Sequence, residues 1–247
     1  MLLQTDNLTV GYDGKAVIRN ICLNIHKGEI VTLIGANGSG KSTVLKTIAG
    51  YKERLGGNLF FMEKDLDSFS RKERAERFSV MLTEKVRTEL MSCREVVETG
   101  RYPYTDYFGR LSQTDRQTVD EAIQLVDIGS FADKDFSQIS DGQRQRVLLA
   151  KAICQQPEIL ILDEPTSYLD IHHKIRFLEI IRKLAEEKQM AVLISMHELD
   201  FAEKISDYTA AVKDGKVVHY GRPCDIFTDE NIRILFDIPK ELYDKYF

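Results

Sequence analysis

The sequence predicts an α/β fold in which a mostly parallel sheet is joined to an antiparallel β subdomain and carries an inserted helical subdomain. Three short, nearly continuous apolar runs at 30–34, 159–162 and 191–194 are typical of strands buried on both faces, and helical stretches separate them. Residues 2–25 alternate loosely between apolar and polar side chains, which indicates antiparallel strands with one buried face. Residues 89–156 show helical spacing and contain no buried-strand run, so we expect a helical subdomain there.

Turn and cap residues refine these elements. Residues 12–15 form a turn signal within the first antiparallel pair, and Asp214-Gly215 predicts a hairpin between strand-like flanks. Ser70 and Glu73 have capping-box spacing, so the charged run 71–77 is interpreted as a solvated helix rather than a nucleic-acid patch.

The end of the chain has its own pattern. Residues 224–236 are expected to form an amphipathic helix, followed by an aromatic-rich tail at 239–247.

Composition excludes several classes of protein. Hydrophobic residues make up 43% and charged residues 30%, which excludes disordered and collagen-like chains. The net charge of −5 gives no support to nucleic-acid binding. The apolar runs are far shorter than the roughly 20 residues of a spanning helix, and Asp6 interrupts any signal-peptide pattern. The four cysteines show no C-x-x-C, so neither a zinc site nor a disulfide framework is expected. We expect the chain to be cytosolic.

A glycine-rich loop follows the first buried strand and fits the phosphate-binding pattern G-x-x-x-x-G-K-[ST]. Glycines let successive backbone N–H groups turn toward a phosphate, and the next helix points its positive end at the same anion. Lys41 would reach the terminal phosphates and the Ser42 hydroxyl would ligate Mg²⁺. The loop predicts a P-loop (RecA-like) core that binds nucleotide through Gly35, Ala36, Asn37, Gly38, Ser39, Gly40, Lys41, Ser42 and Thr43.

The second buried strand ends in two carboxylates. Asp163 lies where ligands of α/β sheets bind, and it would hold Mg²⁺. Glu164 follows directly and would polarise an attacking water as general base. The alternative is an acidic turn that merely ends a strand, which the accompanying P-loop disfavours.

A further helix begins near Ser140. Ser140 and Gln143 have capping-box spacing, so the simplest interpretation is an ordinary helix start. Since a capped helix N-terminus beside a glycine can also bind an anion, a second phosphate-binding site is the functional alternative.

Together these motifs resemble the nucleotide-binding subunit of an ATP-binding-cassette (ABC) transporter over about residues 2–220. GANGSGKST resembles Walker A, ILILDEP Walker B, ISDGQRQRV the family signature and SYLD the D-loop, and ISMHELD contains the switch histidine. GRYPYTDYFGRL and TSYLDIHHK resemble importers of iron–siderophore, haem and cobalamin type. The resemblance implies an ATPase that uses ATP and Mg²⁺.

The resemblance also assigns residues. Two copies would form a head-to-tail homodimer, in which Ser140 and Gly142 of one copy cap the γ-phosphate on the other copy's P-loop, and Gln143 is a further ATP-binding residue. His197 would contact the γ-phosphate, and Asp170 would link the two sites.

One more contact to the nucleotide is implied. Tyr12 would stack on adenine, although a turn tyrosine packed on the surface is the alternative. The remaining histidines match no motif position with a role.

Two residues depart from the family pattern. Glu84 stands where the family usually has Gln, and it offers an oxygen ligand to Mg²⁺ while adding negative charge near the triphosphate. Asp141 stands where glycine is common; it favours the helix dipole but would repel the γ-phosphate across the dimer.

The resemblance sets the expected organisation and partners. A single ABC-type ATP-binding domain would span 1–230, with a core at 1–88 and 157–222, a helical subdomain at 89–156 and a C-terminal helix and tail at 223–247. The subunit would bind integral-membrane permease subunits at the cytoplasmic face of the cell membrane as a peripheral protein, act indirectly with a substrate-binding protein, and bind no nucleic acid.

Two other functions compete with this one. A soluble ABC ATPase acting on DNA or ribosomes would usually carry two cassettes or a long coiled coil, and the sequence shows neither. A P-loop kinase or GTPase is the third hypothesis, but no Asn-Lys-x-Asp guanine motif is present.

Overall fold

The computed structural model describes residues 1–82 and 90–246, which form two compact units. Unit 1 comprises Met1–Ser68 and Ala191–Phe247, and unit 2 comprises Phe69–Met190. The predicted helical subdomain lies within unit 2, and the predicted domain limits stay a prediction.

The strands and helices of the described residues follow one another along the chain as predicted for an α/β protein. The strands are β1 (Leu3–Tyr12), β2 (Lys15–Ile25), β3 (Ile30–Ile34), β4 (Gly56–Phe61), β5 (Lys64–Asp65), β6 (Phe78–Met81), β7 (Ile159–Asp163), β8 (Ala191–Ser195), β9 (Tyr208–Lys213) and β10 (Lys216–Gly221). The α-helices are α1 (Lys41–Ile48), α2 (Arg71–Arg77), α3 (Cys93–Glu98), α4 (Gln113–Leu125), α5 (Asp141–Cys154), α6 (Ile171–Lys188), α7 (Leu199–Ile205), α8 (Pro223–Ile226), α9 (Asp229–Leu235) and α10 (Lys240–Tyr246). Short 3₁₀ segments span Leu66–Ser68, Thr99–Tyr104, Gly129–Phe131 and Phe136–Gln138.

Unit 1 contains a sheet with the strand order β5-β4-β1-β2-β10-β9-β3-β8. The β1–β2, β1–β4, β4–β5 and β9–β10 pairs are antiparallel, whereas β3 pairs in parallel with β8 and β9. All five side chains of β3 are buried, as its continuous apolar sequence predicts. Tyr12 pairs with Lys15 across the first hairpin and Lys213 with Lys216 across the second, so both predicted turns are confirmed.

Unit 2 contains the parallel pair β6–β7 and the helices α2 to α6. Every residue of β7 is buried, and the capping box predicted at Ser70 and Glu73 begins α2. The buried Arg101 guanidinium donates to Asp115 Oδ1 at 2.8 Å and to the carbonyl of Cys154 at 2.9 Å. The ion pair connects the 3₁₀ segment Thr99–Tyr104 to α4 and satisfies charges that burial would otherwise destabilise, and the second hydrogen bond connects the same segment to the end of α5. The α/β class and the helical region are therefore confirmed.

The expected single helix over 224–236 is wrong. The chain forms two short helices, α8 and α9, because Thr228 leaves the helical conformation (φ −88°, ψ 150°) and its hydroxyl accepts the N–H of Asn231 as the cap of α9. Lys213 holds α9 in place by donating to the carbonyl of Ile234 and to Asp237. Among the described residues, none of the helices is long and apolar enough to cross a membrane.

Candidate functional site

The P-loop, residues 35–43, connects the buried end of β3 to the start of α1. Gly35, Gly38 and Gly40 have φ values of 149°, 76° and 102°, a region that side chains other than glycine rarely adopt. A Cβ on Gly35 would lie 2.3 Å from the carbonyl oxygen of Val212, and one on Gly40 would lie 2.7 Å from Val17. The close packing of the loop against β2 and β9 therefore requires glycine at positions 35 and 40.

The polar side chains of the P-loop indicate what it could bind. The buried Lys41 ammonium donates to the carbonyls of Gly35 at 2.9 Å and Ala36 at 3.1 Å. Ser39 Oγ is buried and has no hydrogen-bond partner among the described residues. Gly40 precedes α1 in a left-handed conformation, and within the described residues no side chain caps this helix. A buried cation, an unsatisfied hydroxyl and uncapped helix N–H groups together fit a phosphate group.

Tyr12 lies at the end of β1, and its hydroxyl is 2.6 Å from Thr43 Oγ1 in α1. Its ring is 43% exposed, and Lys52 Nζ lies 4.0 Å from the ring centroid. The exposed ring suits stacking on a base, and Lys52 supplies a cation at the same place. Sequence reasoning missed Lys52, since its contact depends on the turn after α1 rather than on any motif.

His197 leaves the sheet at the same edge as the P-loop. Leu33 of β3 pairs in parallel with Ser195 of β8, so Gly35 and His197 each lie two residues beyond a matched pair. The backbone N–H of Met196 also donates to the carbonyl of Leu33 at 3.1 Å. Within unit 1 the structure thus brings the predicted switch histidine to the end of the strand that carries the phosphate loop.

In unit 2, Asp163 ends β7 and Glu164 follows it directly. Asp163 is 4% exposed, and Glu164 is partly exposed. Glu164 has φ 47°, a left-handed conformation that costs a non-glycine residue about 1–3 kcal/mol and is often found at functional sites. The conformation turns the chain sharply after β7, and no sequence signal indicated it.

The predicted signature residues begin α5. Ser140 Oγ accepts the N–H of Gln143 at 3.2 Å, and Gln143 Oε1 accepts the N–H of Ser140 at 3.0 Å, so the capping box is confirmed. A Cβ on Gly142 would be 3.6 Å from Tyr168 and Leu169, so this helix start lies beside the residues preceding α6. Asp141 is exposed and forms an ion pair with Arg144 at 3.0 Å.

Asp170 caps α6. Its Oδ1 accepts the backbone N–H of His173 at 2.9 Å and lies 2.8 Å from His173 Nδ1. The pKa of Asp170 lies below its usual range, mainly because of the backbone hydrogen bond and to a smaller extent because of the side-chain one. The carboxylate is therefore ionised at neutral pH. Glu84, the remaining predicted ligand, lies outside the described residues.

A phosphate loop at the end of a buried parallel strand, with a histidine on the neighbouring strand, defines the chain as a P-loop nucleotide-binding protein. The family model described as ABC transporter matches residues 18–167. The chain belongs to the ABC transporter family.

Individual relatives agree. MJ0873 of Methanocaldococcus jannaschii, described as an uncharacterized ABC transporter ATP-binding protein, is 41% identical over 244 residues, which cover 99% of this chain and 84% of that protein. The iron(3+)-hydroxamate import ATP-binding protein FhuC of Bacillus subtilis is 33% identical and covers 97% of this chain and 89% of that protein. The solved structure of a dimeric ATP-binding cassette, MJ0796, in a post-hydrolysis state with ADP and Pi has a TM-score of 0.79 at 26% identity, covering 90% of this chain and 99% of that one.

Proposed function

We propose that this chain is the ATP-hydrolysing, energy-coupling subunit of an ABC importer for iron–siderophore, haem or cobalamin-type solutes. The observation that carries the proposal is the P-loop, in which Lys41 is buried against the loop carbonyls and α1 begins without a side-chain cap in the described residues. FhuC, a relative whose name specifies import of an iron chelate, supports the direction and the solute class.

Nucleotide binding is assigned to unit 1. The backbone N–H groups of residues 35–43 would surround the phosphates, Lys41 would neutralise their terminal charge, and the Ser39 hydroxyl would gain a phosphate oxygen as partner. Tyr12 would stack on adenine, with Lys52 beside the ring.

Hydrolysis is assigned to carboxylate and imidazole groups at strand ends. Ser42 and Asp163 each offer an oxygen of the kind that Mg²⁺ prefers, and Glu84 is a further candidate ligand. When bound, Mg²⁺ would supply charge neutralisation on the phosphates. Glu164 would accept the proton of the attacking water, and His197 would hydrogen-bond the γ-phosphate.

We further propose a homodimer. Ser140, Gly142 and Gln143 would cap the γ-phosphate held by the partner copy, and Asp170 would connect the two sites. The dimeric state of the MJ0796 cassette supports this arrangement. The subunit would bind permease subunits at the cytoplasmic face of the membrane and would act indirectly with a substrate-binding protein. The domain limits predicted from the sequence remain part of this proposal.

The catalytic assignment is tested with Glu164→Gln. The amide cannot take a proton from water, so we expect ATP turnover to fall by about 10²–10⁴-fold. ATP binding should remain, and ATP should accumulate a dimer visible by size-exclusion chromatography with light scattering. Glu158→Gln, a change to another glutamate near β7, is the matched control and should hydrolyse ATP normally. Turnover of Glu164→Gln at the wild-type rate would remove Glu164 from the base position.

The transport assignment is tested separately. Tagged chain expressed in its native host should co-purify from membranes with a polytopic membrane protein. ATP turnover of the complex should then rise when solute-loaded capture protein is added. Co-sedimentation with ribosomes instead would favour the soluble ABC ATPase hypothesis.

A further inference from the structure

A cluster of metal-ligand side chains lies at the start of α6. It consists of Asp170, His172 and His173, whose possible ligand atoms all lie within 4.8 Å of one another. Asp170 and His172 are exposed and His173 is partly exposed, so all three can reach an ion from solvent. Among the described residues no other set of three His, Cys, Asp or Glu side chains comes this close together.

The side chains of the cluster are held close together without an ion. Asp170 Oδ1 and His173 Nδ1 share a hydrogen bond of 2.8 Å, which fixes the carboxylate beside this imidazole. The His172 and His173 rings are 5.3 Å apart and nearly perpendicular. Because the hydrogen bonds that Asp170 accepts in the described part of the chain both go to Oδ1, Oδ2 is available to an ion while Oδ1 still caps the helix.

The donor atoms indicate the class of ion. Two imidazoles and one carboxylate form a nitrogen and oxygen set that suits Zn²⁺ and its neighbours among the divalent transition metals, whereas Mg²⁺ and Ca²⁺ prefer oxygen alone. Three protein ligands leave a fourth position for water. Nearby positive charge is partly balanced, since Arg176 forms an ion pair with Asp127 at 3.2 Å.

We propose that Asp170, His172 and His173 bind one Zn²⁺-class ion, and that the bound ion inhibits ATP hydrolysis. The inhibition rests on the proposed function, in which Asp170 connects the two ATP sites of a dimer. An ion coordinated by Oδ2 would occupy the carboxylate oxygen that the cap of α6 leaves over, and so prevent that connection. Binding of the ion itself does not depend on ATPase activity.

The site is tested by titrating Zn²⁺ into the full-length chain by calorimetry. We expect one equivalent to bind the wild type, and His172→Gln and His173→Gln to weaken this binding by at least about tenfold. His26→Gln is the matched control, because His26 forms a similar exposed pair with Glu29 at 2.9 Å but has no second imidazole in such a cluster. The exposed thiols of Cys22 and Cys224 are common to all variants. Equal Zn²⁺ affinity in His172→Gln and the wild type would overturn the site.

The inhibition is tested in the same proteins with saturating Mg-ATP. Micromolar Zn²⁺ should slow hydrolysis by the wild type and by His26→Gln, while His172→Gln, which should hydrolyse normally without Zn²⁺, keeps its rate. Inhibition of all three to the same extent, or of none, would overturn the inhibitory role. If neither the wild type nor any variant hydrolyses ATP in the absence of Zn²⁺, the proposed function is contradicted instead. The calorimetry would still show whether the metal site exists.

Discussion

Two helices of this chain begin at residues proposed to contact phosphate, and their first turns are built differently. α1 follows Gly40, and in the described chain no side chain caps it. α5 follows Ser140, which exchanges two hydrogen bonds with Gln143. The first N–H groups of a helix have no partner within the helix. The Ser140 side chain satisfies one of them in α5, whereas Gly40 at the start of α1 has no side chain that could do so.

The difference indicates different roles for the two helix starts at the phosphates of a nucleotide. In the proposed function the P-loop binds phosphate without help, since Lys41 is already held against the loop carbonyls. The Ser140 oxygen already accepts the N–H of Gln143, so its hydroxyl hydrogen is the part left to donate to a phosphate. α5 is therefore suited to add to an already bound nucleotide rather than to capture one.

A comparison among capping boxes sharpens this view. Within the part of the chain that the structure describes, complete boxes begin α2, α3, α4 and α5. In the first three boxes the side chain that accepts the N-cap N–H is acidic and belongs to Glu73, Glu95 or Asp115. In α5 it is the uncharged side chain of Gln143. An uncharged partner keeps the cap without placing a further negative charge beside a phosphate.

Among changes at the two helix starts, the largest effect is expected for Lys41→Met. This variant removes the buried cation of the P-loop while keeping a similar side-chain length. Loss of charge stabilisation on the transferring phosphoryl group should lower ATP turnover by about 10²–10³-fold. Lys46→Met, in the last turn of the same helix, is the control and should retain activity. Steady-state ATPase assays measure both, and equal rates would show that Lys41 does not contact the phosphates.

Gly35→Ala should show how strongly the P-loop conformation is constrained. A Cβ at this position would lie 2.3 Å from the Val212 carbonyl oxygen, and the φ of 149° is unfavourable for alanine. We expect a loss of about 2–4 kcal/mol in the free energy of unfolding, from strain and crowding together.

Gly38→Ala is the matched control for this change. Its Cβ would have nothing within 4 Å, although φ is 76°, so only the conformational cost of about 1 kcal/mol applies. Urea unfolding measures both variants. Equal destabilisation would mean that the contact with β9 does not determine the loop.

Much of this architecture was predictable because it follows from local chemistry. The buried strands, the glycine loop and the Ser140 cap each depend on residues adjacent in sequence, and each is confirmed. The left-handed Glu164 and the contact of Lys52 with Tyr12 were not predictable, since they depend on packing of segments distant in sequence. The break between α8 and α9 was missed because the apolar spacing continued through it, while Thr228 provided a cap.

Ser140→Ala should separate capping from phosphate contact. Loss of the cap should lower the free energy of unfolding by about 1 kcal/mol. Ser70→Ala removes the corresponding cap of α2 and should cost a similar amount. If the Ser140 hydroxyl also donates to a phosphate, only Ser140→Ala will reduce ATP turnover, by about tenfold. Equal ATPase rates for the two variants would leave Ser140 as a helix cap alone.

The smallest effect concerns Asp141, whose exposed carboxylate pairs with Arg144 at the start of α5. In the proposed dimer this negative charge would face the partner's γ-phosphate, so Asp141→Gly should tighten ATP-driven dimerisation by about two- to fivefold at low salt. Asp141→Asn distinguishes the effect of the charge from the effect of a more flexible backbone, because asparagine removes the carboxylate without adding glycine's flexibility. Each change should therefore tighten the dimer when it is combined with Glu164→Gln and the dimer is measured by sedimentation. Raised salt should reduce this increase in dimer affinity. An unchanged dimerisation constant for Asp141→Asn would mean that the carboxylate, held by Arg144, does not act on the phosphate.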